Sequence, residues 1–249
     1  MARNVRKARP ATSKRRADTG LDVFINCPFD PEYKPIFYAM VYTVVRSGYR
    51  VRCALETDDA AQNRLGKIIQ IIGECRFGIH DISRTETSGD PPLPRFNMPF
   101  ELGLWLGAHH LGREDQSGKQ CIVFDSEQYR YQRFISDIGG QDIHAHGYAV
   151  SKVITEVAGW LRHLPGGVSA GGGQSIGREY EEFEAILPAM CAGVNLAPDE
   201  MKFADFNMMV TEYVARLTSE PAAASGGGEG EPVETAVSSG EGRPPPSSA

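Results

Sequence analysis

The chain has 249 residues, 41% of them hydrophobic, and a formal charge of -6, enough for one substantial core with appendages. No apolar run approaches the roughly 18 residues of a membrane span and none follows the basic start, which argues against a membrane protein or a secretory leader. The five cysteines never fall at two-residue spacing, so neither a disulfide framework nor a zinc ribbon is suggested, and a reducing cytoplasm is the expected home.

Residues 1–20 gather Arg3, Arg6, Lys7, Arg9, Lys14, Arg15 and Arg16 against Asp18. This basic arm reads as a disordered, solvated tail, with nucleic acid or an anionic membrane as the alternative contact. From Asp22, "DVFINCPF" is a short apolar run of strand type. "PEYKPIFYAMVYTVVRSG" then sets Ile36, Phe37, Met40, Val41, Val44 and Val45 on one helical face and stops at Gly48. "YRVRCALE" is a second strand whose inserted Arg50 and Arg52 suit a sheet edge. "AAQNRLGKIIQIIGEC" is a helix with Leu65, Ile68, Ile69 and Ile72 inward. "RFGIHDIS" predicts a third strand, "MPFELGLWLGAHHLG" a third helix and "KQCIVFDS" a fourth strand. Alternating strands and helices predict a doubly wound, flavodoxin-like α/β domain over 21–164, with a parallel sheet of about five strands in the order 2-1-3-4-5.

Residues 126–147 mix aromatic and charged side chains around Gly139-Gly140, and "AVSKVITEVAGWLRHL" closes the domain as a helix. "PGGVSAGGGQSIG", residues 165–177, reads as a flexible linker. Residues 178–218 read as a small helical appendage, with Phe203, Phe206, Val210, Tyr213, Val214 and Leu217 on one face as a possible protein contact. The Gly-, Ser-, Glu- and Pro-rich residues 219–249 are expected to be disordered.

Ligands of open parallel sheets collect at the carboxyl ends of the strands. Those ends carry Asn26, Glu56, Asp81, Ser83, Asp125 and Ser126, although loops there are polar in any protein. No glycine fingerprint for a dinucleotide, no P-loop and no serine nucleophile elbow is present. His80, Asp81, His144 and His146 have no recognised zinc spacing, so no metal is expected. Glu101 stands apart. With Asn97 as N-cap, the capping-box acid would belong at Phe100, so Glu101 sits one residue too late to reach back. Dipole stabilisation suits an exposed acid better than one leading into "LGLWLGA". A carboxylate at that rim is expected to be partly desolvated and poised by its surroundings.

"FINCPF", "HDIS" and "NMPFELG", in this order and spacing, resemble the nucleoside 2-deoxyribosyltransferase-like family and, more distantly, the Toll/interleukin-1 receptor (TIR) domains that hydrolyse NAD, over about residues 21–164. The ending "GLWLGA" and the insert "RTETSGDPPLPRF" depart from compact members. The resemblance implies cleavage or transfer of an N-glycosidic bond of a nucleoside, nucleotide or NAD, needing no resident cofactor. Glu101 would be nucleophile or stabiliser, Asp81 would orient sugar or base, and Asn97 would hold a sugar hydroxyl. Asn26, Cys27, Pro28 and Phe29 would line the base or phosphate pocket, joined at the rim by Ser83 and Asp125. A nucleotide-sensing module and a non-catalytic interaction domain, either of them a possible homo-oligomer, are the rival classes. The insert, with three prolines, is expected to hang over the rim as part of a lid.

Overall fold

A computed structural model describes residues 19–219, apart from 57, 58, 60, 86, 89–92 and 169. The expectations for the basic arm and for the tail fall, but for a residue or two, outside the described residues.

Five short strands form one parallel sheet: β1 (Asp22–Asn26), β2 (Arg50–Cys53), β3 (Phe77–Asp81), β4 (Gln120–Asp125) and β5 (Ile143–Ala145). Their order is β2-β1-β3-β4-β5, the doubly wound, flavodoxin-like arrangement. β1 and β3 are buried at every position, as strands covered on both faces must be, and this explains their unbroken apolar runs. The edge position of β2 is set by its arginines. Arg50 pairs with Asp22 at 2.7 Å, and Arg52 reaches Glu56 at 2.7 Å and Glu74 at 3.1 Å. Glu56 is thereby held by the scaffold.

Alternation along β1 divides the core. Val23 and Ile25 face α1 (Lys34–Arg46) and α4 (Val150–Arg162), while Phe24 faces α2 (Arg64–Glu74) and Trp105 of α3 (Asn97–Leu111). Gly78 on β3 is fixed by close approach: a Cβ there would stand 2.8 Å from His80 Nε2 and 3.0 Å from the Trp105 ring. The fifth strand lies inside the segment 126–147, which periodicity did not mark as a strand.

The C-terminal helices α5 (Gly173–Gly193) and α6 (Phe203–Ser219) add a layer outside α1 and α4. Ile176, Tyr180, Phe183, Phe206 and Val210 belong to the same buried cluster as Val23 and Phe77, and Tyr38 stacks on Phe206 at 3.6 Å. The expected linker is shorter than 165–177, because α5 begins at Gly173. A Cβ at Gly173 would meet the Thr155 Cα at 2.5 Å, so this glycine admits the backbone of α4 rather than loosening the chain. No helix among the described residues is long and apolar enough to cross a membrane.

Candidate functional site

Two kinds of polar group meet at the carboxyl rim of the sheet, and their partners separate them. Asp81, the last residue of β3, is wholly buried. Its Oδ1 accepts the Ser83 amide at 2.8 Å, and its Oδ2 accepts the Tyr33 hydroxyl at 2.5 Å and His146 Nε2 at 2.8 Å. The Tyr148 amide donates to His146 Nδ1 at 2.8 Å, so Nδ1 carries no proton and the ring is a neutral donor to Asp81. Any influence of Asp81 on a ligand therefore passes through the positions of Tyr33, Ser83 and His146.

Asp125, at the end of β4, is engaged through one oxygen, its Oδ2 being buried without a partner among the described residues. Its Oδ1 accepts the Ser126 amide at 2.7 Å and Arg130 at 2.6 and 2.8 Å, and Arg130 also donates to the carbonyls of Ile82 and Ser83 at 3.0 and 2.8 Å. Burial raises the Asp125 carboxyl above its usual range although Arg130 works against it. Both aspartates brace the loops of the rim.

Asn26, ending β1, donates to the Met98 carbonyl at 2.9 Å and faces His80 Nδ1 at 3.1 Å. The first bond ties the first turn of α3 to the sheet and so fixes where Glu101 stands. Burial pushes His80 down to about 3, so the ring is neutral. Cys27 and Pro28 are buried behind Asn26. The Cys27 thiol is raised by its burial first, then by Asp81, Cys53 and Glu101, which puts it among the groups of the rim as a protonated, inert filler.

Glu101 is of the other kind. It is 7% exposed, and the one charge that acts on its carboxylate among the described residues is Arg64. Burial pushes its carboxyl up to about 7, against the lowering effect of Arg64 at the start of α2. It does not cap α3. The N-cap is Phe96, without a side-chain bond, so Pro99 occupies the capping-box position, where its missing N–H is harmless. This corrects the expected cap: Asn97 is the first helical residue, exposed at the rim and one turn before Glu101 on the same face.

Arg64, whose charge acts on Glu101, also lines a cavity of about 470 Å³ together with Phe29, Phe37, Lys34 and Phe203; Glu101 is not part of its wall. Of the residues expected to bind substrate, Phe29 reaches this space. Asn26, Cys27, Pro28, Ser83 and Asp125 stand behind the rim and shape it. The insert 84–96 contains a two-residue antiparallel hairpin, Thr87–Ser88 with Leu93–Pro94. Both of its ends are clipped to Asp30, by Arg84 and by Arg95 at 3.2 Å each.

Tyr33, His146, Arg130, Arg64 and Lys34 were not among the expected site residues. Tyr33 and Lys34 stand in "PEYKP", whose apolar spacing draws attention away from them. His146 was weighed as a metal ligand, but the histidines diverge: His144 meets Glu156 at 3.0 Å and His146 meets Asp81. No group of three or more His, Cys, Asp or Glu side chains is placed to hold a metal ion among the described residues. No family model, curated protein or solved structure matches the chain.

Proposed function

We propose that the chain cleaves or transfers an N-glycosidic bond of a nucleotide-like substrate, with Glu101 as the group that meets the anomeric carbon. The observation that carries this reading is Glu101 itself, 7% exposed and raised by burial to about 7, which feels the charge of Arg64, a residue that also lines an open cavity. Loss of the base leaves an oxocarbenium-like sugar. An ionised Glu101 stabilises that charge or forms a glycosyl ester with it, which water or a second base then opens.

The state of the other acids bears on the substrate. Protonating a neutral leaving base needs a second acid, yet Asp81 accepts three hydrogen bonds and His80 is neutral. If Glu101 acts without a second acid, the site works best on a base that leaves without a proton, such as the cationic nicotinamide ring of NAD. The same cavity also supports a second reading, a nucleotide sensor that binds without turnover.

Incubating the protein with NAD and a panel of nucleosides, and separating the released bases, tests the proposal. Wild type should release base and Glu101→Gln should retain binding while losing roughly a hundredfold or more in turnover. Tight binding without release from any candidate would leave the sensor reading in its place.

A further inference from the structure

The cavity lined by Arg64 has a character of its own. Three helices begin at its wall: Lys34, Phe37 and Tyr38 come from the first turns of α1, Arg64 and Lys67 from that of α2, and Lys202 and Phe203 from the start of α6. Neither α1 nor α2 has an acid in its first turn. Cations there oppose the helix dipole, by roughly 0.3 to 1 kcal/mol each. Four of the described lining residues, Lys34, Arg64, Lys67 and Lys202, are cations and one, Asp59, is an acid, with Lys67 and Lys202 also engaged by neighbours, in a protein with a formal charge of -6. The local sign is thus the reverse of the global one. Beneath the cations lies an aromatic floor, with Phe37 at 5.1 Å from Phe29 and 5.9 Å from Phe203 between ring centroids.

We propose that this cavity binds the phosphate-bearing part of a nucleotide, with Lys34 and Arg64 on the phosphate oxygens and a planar ring against the floor of Phe29, Phe37 and Phe203. Charge and helix ends select the phosphate, and the apolar floor distinguishes a nucleotide from a free polyphosphate. The start of α6 completes the wall, so the C-terminal helices are part of the binding site. The proposal deepens the glycosidic reading and rests on it only for placing the scissile bond at Glu101; the binding of phosphate stands separately.

Titration calorimetry of the full chain at low salt, with ADP, adenosine and inorganic pyrophosphate as probes, tests it. ADP should bind at least about tenfold more tightly than either fragment, and Lys34→Met and Arg64→Met should each weaken ADP by about tenfold or more, as expected for a charge-assisted hydrogen bond. Lys34→Met should melt at or above the wild-type temperature, because it removes a cation from a helix start, and Arg64→Met should do so at pH 5, where Glu101 is protonated. Adenosine binding as tightly as ADP, ADP binding unchanged in both variants, or no binding of any probe would overturn the proposal. Pyrophosphate binding as tightly as ADP would overturn the nucleotide in favour of a free polyphosphate. ADP binding with this charge dependence, and no base released from any substrate, would sink the glycosidic reading and leave the phosphate site standing. Base released equally well from nucleosides and nucleotides, with KM unaltered in both variants, would do the reverse.

Discussion

The state of Glu101 makes a prediction about stability that needs no substrate. Its carboxyl titrates near 7 in the folded chain, against an ordinary value of 4.5, because burial disfavours the charge. A carboxyl raised in the folded state contributes stability that is complete below pH 4.5 and is lost as pH rises through about 7. The difference corresponds to about 3 kcal/mol at pH 8, and to about 1 kcal/mol at pH 5, where the unfolded chain has begun to ionise. Glu101→Gln keeps the size and polarity and removes the charge. It should therefore be close to wild type at pH 5 and more stable at pH 8, with an advantage of roughly 5 to 10 °C for a domain of this size. Denaturant midpoints at pH 5, 6, 7 and 8 for both proteins would read the gap. A gap that does not grow between pH 5 and pH 8, or a variant less stable than wild type at pH 8, would show that the carboxylate is solvated or paired and would remove the physical basis of its role.

Further substitutions test the rest of the rim. Tyr33→Phe deletes one donor to the buried Asp81 and should lose about 1.5 to 3 kcal/mol in urea unfolding; a loss below about 0.5 would mean that the bond is not formed. Gly78→Ala places a methyl 2.8 Å from His80 Nε2 and should destabilise by about 1 to 3 kcal/mol, whereas Gly103→Ala, with nothing within 4 Å, should stabilise by up to about 1 kcal/mol. Equal effects of these two changes would contradict the packing described for Trp105. Asp30→Asn weakens the clip on both ends of the insert 84–96 and should alter substrate affinity or turnover with only a few degrees' change in melting; unaltered kinetics would end the lid idea.

The alternating strands and helices were legible because each strand of the centre is an apolar run and each helix has one apolar face. The edge place of β2 was legible from Arg50 and Arg52. β5 was not, since Ile143–Ala145 is too short for a period and the histidines in and after it, His144 and His146, suggest another chemistry. Gly173 misled in an instructive way: glycine admits flexibility and close approach alike, and only the position of Thr155 decides between them. For the site, Glu101 could be singled out because its position fits no capping role, and this survives the shift of the cap from Asn97 to Phe96. The engagement of Asp81 and Asp125 could not be foreseen, because Tyr33, His146 and Arg130 reach them across loops. The cavity was hidden for the same reason: three helix starts distant in sequence build it.

Arg64 joins the two halves of the site, and this can be tested as a coupling. It lines the cavity and is also the cation that lowers the Glu101 carboxyl. Replacing it with Met should let burial act alone, so the carboxyl should titrate above 7 and the pH at which the advantage of Glu101→Gln stops growing should move upward, while its onset stays with the unfolded value. A double-mutant cycle over pH isolates this coupling from any change that Arg64→Met makes to α2 itself. An anion bound in the cavity should imitate the substitution by screening the guanidinium, so saturating ADP should move the same midpoint in the same direction in the wild type and much less in Arg64→Met. The consequence for chemistry is directional. A phosphate on Arg64 would make Glu101 harder to ionise and a cationic leaving ring beside Glu101 would make it easier, so the two parts of a dinucleotide-like substrate would act on the carboxylate in opposite directions. If ADP leaves the Glu101 midpoint where it was in both proteins, Arg64 does not link the cavity to the carboxylate and this reasoning fails.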